Sequence, residues 1–170
     1  FVSFDSSHQI RILPIDPDDM AEVFEILQQL EPEASYGLAA KNLSADLLAP
    51  LEQSVSAMEQ ALASRDFAQW SAQDELFHRG ILQLYGNQRL LTYLEALFFQ
   101  AHRARCIATV LGDVPDQSTR EHREIVTHIL AGNAGAARAA MQAHRDRVNA
   151  ELLDILRRTD PRVLGRQSTA

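Results

Sequence analysis

Three observations make this chain an all-α protein, an antiparallel bundle of helices. Apolar residues recur three and four apart along most of its length. Turn-forming pairs such as Gly86-Asn87 and Gly132-Asn133 cut that pattern into six segments. Beyond the first dozen residues no stretch alternates as a strand does. With 170 residues, a chain of this kind buries roughly 70% of the surface its unfolded form exposes, so no staple is required. Short connections between successive helices make neighbours run antiparallel.

Each element has its own local warrant. Residues 1–15 read as an incoming linker, and Asp16 followed by Pro17 opens the first helix as cap and first position. Met20, Val23, Phe24, Leu27 and Leu30 carry its apolar stripe to about Ala40, with a kink expected at Pro32. Ser44 caps a second helix holding Leu47, Leu48, Leu51, Val55, Met58 and Leu62. Asp66 caps a third, from Phe67 to Tyr85, which Gly86-Asn87 stops.

The fourth helix, Gln88 to about Leu111, is apolar on most of its circumference, which argues for a central position. Turn residues Gly112 to Pro115 separate it from a fifth helix at about Gln117 to Leu130. The sixth runs from about Ala134 through Met141, Val148, Leu152 and Leu156, and residues 160–170 form a polar, loose tail.

Composition excludes several functions. Phosphate neutralisation needs clustered Lys and Arg, whereas this chain has net charge −7 and a single lysine, Lys41. As it stands it should not bind DNA. No apolar run approaches the ~20 residues of a membrane helix. Cys106, the one cysteine, excludes an internal disulfide and suits a reducing cytoplasm.

Donor atoms fall on three of the helices: Asp74 and His78, four apart in Asp74-Glu75-Leu76-Phe77-His78, then His122, then His144. Imidazole and carboxylate from different elements are what a first-row metal takes, and a pair four apart supplies two of them on one face. The same pair also serves as a hydrogen bond along a helix, and spacing alone leaves both readings open. His128 turns to the opposite side from His122, His8 lies in the linker, and His102 is either a pocket residue or a hydrogen-bonded surface histidine.

Taken together, Asp74-Glu75-Leu76-Phe77-His78, Gly86-Asn87, Glu121-His122-Arg123-Glu124-Ile125 and Ala139-Ala140-Met141-Gln142-Ala143-His144 resemble, in order and spacing, the signature of the FCD domain. This is the C-terminal effector-binding domain of FadR-like regulators in the GntR family of bacterial transcription factors. Asp18 to Glu31 resembles its first helix, so the likeness covers about residues 16–158. The resemblance implies six or seven helices around a small effector, commonly a carboxylic or sugar acid. In its metal-containing branch one Asp and three His are ligands, and all four positions match here: Asp74, His78, His122 and His144. Zn or Ni suits such a set, leaving two positions of an octahedral shell for the effector's carboxylate.

The resemblance further implies a cytoplasmic homodimer that meets DNA only through a winged helix-turn-helix domain ahead of residue 16, of which residues 1–15 would be the linker remnant. The domain proper is expected over residues 16–159. Exposed apolar surface on the first and fourth helices is a candidate dimer face. Two departures concern the effector: Leu27 stands where many relatives carry Arg, and Phe98 and Phe99 where they carry basic residues. Anion contacts then fall to the metal and to Arg103, Arg105, His102 and Tyr85, the two arginines being equally readable as solvated or interface residues.

Three other functions compete. An open metal site with Glu75 or Glu121 beside it could activate water, as in a metal-dependent hydrolase. Glu75-x-x-His78 has the spacing of a di-iron carboxylate site but needs a second copy, which the chain lacks. A metal-free bundle would serve dimerisation alone.

Overall fold

A computed structural model describes residues 2–4, 10–12, 15–111 and 115–159. Among these, six helices follow one another: α1 Pro17–Ala40, α2 Ala45–Ser64, α3 Phe67–Tyr85, α4 Gln88–Val110, α5 Asp116–Leu130 and α6 Ala134–Thr159. Residues 112–114 of the expected turn and the whole expected tail lie outside the described residues. Within the stretch read as a linker, β1 Val2–Phe4 pairs antiparallel with β2 Ile10–Ile12, Val2 opposite Ile12.

Most helix ends follow the residue chemistry. Asp16 Oδ1 accepts the amide of Asp18 and Asp66 Oδ1 that of Gln69, at 3.0 and 2.9 Å. Asn87 does the same for Leu90 at 3.1 Å, so Gly86-Asn87 both stops α3 and starts α4. Gly86 (φ +81°) and Gly132 (φ +67°) supply the left-handed residues that end α3 and follow α5. Ser44 is a correction: it holds the extended cap conformation, but its side chain makes no capping bond. α1 runs on through Pro32, which is buried.

The core is one cluster drawn from all six helices, including Phe24, Leu27, Leu51, Phe77, Phe98 and Met141. The apolar circumference of α4 points to a central position, and the structure corrects this. Only one stripe of α4 is buried, Leu94, Phe98, Ala101, Ala104, Arg105 and Ala108, while Tyr93 and Phe99 are 75% and 52% exposed. The hub is α1, which lies along α6 and also touches α3, α4 and α5. An all-round apolar helix satisfies one face in the core and leaves the rest for another surface.

Candidate functional site

The apolar stripes of α1, α3, α5 and α6 each carry polar residues inward, and these meet. Asp74 and His78 of α3, His122 of α5 and His144 of α6 are all buried, none more than 1% exposed. His122 Nε2 lies 3.2 Å from His144 Nε2. Asp74 Oδ1 lies 3.7 Å from His78 Nε2 and 3.6 Å from His122 Nε2. One nitrogen from each of the three imidazoles falls within 4.8 Å of the others. The spacings suit donors around a common ion with bonds of about 2.0–2.2 Å.

The outer nitrogens of His78 and His144 are anchored, whereas that of His122 is buried without a hydrogen-bond partner. His78 Nδ1 lies 2.8 Å from Glu31 Oε2, and His144 Nδ1 2.7 Å from Glu121 Oε2. A carboxylate there keeps the proton on Nδ1 and turns the Nε2 lone pair inward. Glu31 is in turn bound by Arg145, and Glu121 by Arg147 at 2.5 and 2.7 Å. Burial by itself would raise the Glu31 carboxyl, but Arg145 and His78 overcome it and hold it down at about 2. Glu121 is held at about 2 against burial by His144 and Arg147.

These residues fit a divalent cation. His78 Nε2 is buried with no hydrogen-bond partner, although its proton sits on the other nitrogen. A buried unfilled acceptor costs about 1–3 kcal/mol, and this one, beside the His122–His144 nitrogen pair and the Asp74 carboxylate, is in an environment that a bound cation relieves.

Beside the cluster a cavity of about 80 Å3 is lined by Trp70, Asp74, His78, Arg105, His144 and Arg145, with further residues of α4, α5 and α6. Arg105 is 4% exposed, and its Nε stands 2.5 Å from Asp74 Oδ2, an ion pair without hydrogen-bond alignment. The other candidates for effector contact do not border the cavity. Arg103 is half-buried, two residues before Arg105 on α4. His102 lies between Glu75 and Cys106, 3.4 Å from each. Tyr85 sits at the far end of α3, its ring below the Lys41 ammonium and pressed so closely on Gly37 that a Cβ there would overlap it.

The family model of the FCD domain matches residues 22–147. The chain belongs to the FCD domain family. Solved structures agree on the fold: a GntR protein of Streptococcus agalactiae shares 24% identity at TM-score 0.69, over 88% of this chain and 74% of its own. E. coli McbR/YncC shares 18% at TM-score 0.78, over 90% and 77%. The Zn2+-bound FCD domain of TM0439 shares 20% at TM-score 0.67, over 85% of this chain and 98% of that one. No curated protein matches.

Two members of this FCD domain's site escape a search for ligand types: Glu31 and Arg145, both 0% exposed. A signal for each exists, because Glu31 continues the stripe Phe24-Leu27 on α1 and Arg145 falls between Met141 and Val148 on α6. A charge on a buried stripe requires a partner.

The buried imidazoles set an acid dependence for metal-free protein. Burial pushes His122 well below 6.5, helped by His144, and brings His144 to about 4 despite the Glu121 hydrogen bond. Both folded values lie below the unfolded one, so stability is full above pH 6.5 and is lost as protons favour the unfolded chain below it. Glu31 and Glu121, with folded values of about 2 against 4.5, extend the loss below pH 4.5. The melting temperature of chelator-treated protein is expected to be flat above pH 7 and to fall continuously from pH 6.5 downward, with a shallower slope between 6.5 and 4 in His144→Gln. An unchanged slope in that variant would contradict the assignment.

Proposed function

We propose that this FCD domain is the ligand-sensing and dimerisation part of a GntR-family transcriptional regulator of the FadR type. It holds a divalent ion, Zn or Ni, on Asp74, His78, His122 and His144, and takes a small organic acid into the adjoining cavity. DNA is contacted through a separate N-terminal domain. The observation that carries this reading is the meeting of three buried imidazole nitrogens and the Asp74 carboxylate beside a cavity that Asp74, His78 and His144 line together with a buried arginine, Arg105.

The bound ion supplies a Lewis-acidic attachment point for the carboxylate of the effector. Glu31 and Glu121 orient the imidazoles from behind, and Arg105 adds positive charge at the cavity wall. The lining comes from α3, α4, the start of α5 and α6, so an effector that prefers one arrangement of these helices shifts the population towards it. Such a shift is the signal a tethered DNA-binding domain would receive. Ile26 of α1 and Tyr93 and Phe99 of α4, all exposed, favour a dimer through these two helices.

A hydrolase is less well supported. Glu121 is committed to His144 and Arg147, and Glu75 faces Arg79 and His102. Neither lines the cavity.

Protein purified without chelator is expected to carry about one divalent ion per chain, and a small organic acid to raise the melting temperature only of metal-loaded protein, since stabilisation requires binding to the native state. Elemental analysis and differential scanning fluorimetry check this. Equal shifts with and without metal would take the ion out of the effector site.

A further inference from the structure

We infer that the effector of this FCD domain is a monocarboxylate with a hydrocarbon body, branched or aromatic, rather than a sugar acid or a dicarboxylate. The inference rests on the reading of the cavity as the effector site and narrows its chemistry.

The cavity wall carries two arginines with N–H groups open to a carboxylate. Arg105 lines it and is 4% exposed, and neither of its Nη atoms has a hydrogen-bond partner. Arg145 lines the same cavity at 0% exposure, with Nε and Nη1 likewise unfilled. A buried guanidinium with free N–H groups is filled best by a planar pair of anionic oxygens. Arg105 and Arg145 each have one carboxylate partner, Asp74 and Glu31, whereas the third arginine on the wall, Arg147, has two, Glu121 and Glu151, at 2.5 and 2.6 Å. A second carboxylate reaching that far would meet Glu151 and be repelled.

The remaining wall offers little to a hydroxylated molecule. Trp70, Ala108, Pro115, Val148, Leu152 and Ile155 present hydrocarbon, and the Trp70 indole N–H is spent on Thr119 Oγ1 at 2.8 Å. The polar side chains on the wall also have protein partners. Thr109 donates to the Cys106 carbonyl at 3.0 Å, Gln117 donates to Glu121 at 3.0 Å, and Ser118 accepts from Arg147 at 2.9 Å. Sugar hydroxyls entering this space would leave water without gaining equivalent bonds, whereas a branched alkyl or phenyl group would be desolvated favourably.

Isothermal titration of the whole chain, loaded with Zn2+ or Ni2+, with isovalerate, phenylacetate, gluconate and adipate tests this. At least one hydrocarbon acid is expected to bind tenfold or more tighter than gluconate and adipate. Arg105→Gln is expected to weaken that binding more than tenfold. Since loss of Arg105 also unbalances Asp74, Val148→Thr provides a test that keeps the side-chain shape, and it is expected to narrow the preference over gluconate at least threefold. Gluconate or adipate binding as tightly as both hydrocarbon acids would overturn the inferred class while leaving the cavity an effector site. Binding of none of the four would overturn both.

Discussion

Glu31→Ala should be among the most damaging single substitutions in this domain. Glu31 and Arg145 are both 0% exposed and ion-paired to each other, and Glu31 also accepts a hydrogen bond from His78 Nδ1. Truncating the acid leaves a guanidinium buried without its counter-charge, a change that typically costs about 3–5 kcal/mol. For a chain of this size that is a fall in melting temperature of roughly 6–20 °C. The measurement belongs in metal-free protein, so that stability is not mixed with occupancy. The physical cause can be isolated by removing both charges: Glu31→Leu combined with Arg145→Met should recover most of the loss, because a buried pair replaced by hydrocarbon of similar volume is often neutral or better. A double variant as unstable as Glu31→Ala would mean that packing, not the stranded charge, sets the penalty.

Removing an imidazole from the cluster should empty it. His122→Ala and His144→Ala each delete one of four donors from a site in which carboxylates fix only His78 and His144 from behind, so metal content after dialysis is expected to fall below about a tenth of the wild-type value. Glu121→Gln keeps His144 in place but weakens its orientation and basicity, and a loss of roughly 10–100-fold in metal affinity follows. His128→Ala is the matched control. It lies on the same helix as His122, faces Glu124 at 3.7 Å, and is half-buried away from the cluster. Circular dichroism confirms that the helices persist, and elemental analysis reads the occupancy. Full metal content in both ligand variants would reject the assignment.

The sequence by itself determined the helices and nominated the donors. Spacing of Met20, Phe24 and Leu27 or of Leu51, Val55 and Met58 marks a buried face whatever the partner is. Asp16, Asp66 and Gly86 mark ends because capping is local chemistry. Asp74, His78, His122 and His144 are visible for the same reason: side chains suited to a metal sit on amphipathic segments. Only the tertiary structure decided what those faces meet. It moved α4 from centre to edge, since an apolar circumference does not reveal which stripe finds a neighbour.

Long-range pairing likewise separated the effector candidates. Arg105 reached the cavity because its position on α4 turns it towards Asp74, whereas Tyr85, on the same helix as His78 but seven residues further along it, lies against Gly37 and Lys41. It also joined Glu31 to Arg145 across 114 residues of chain. No local rule encodes such a pair, because its energy exists only once α1 and α6 have packed and water has been excluded from between them.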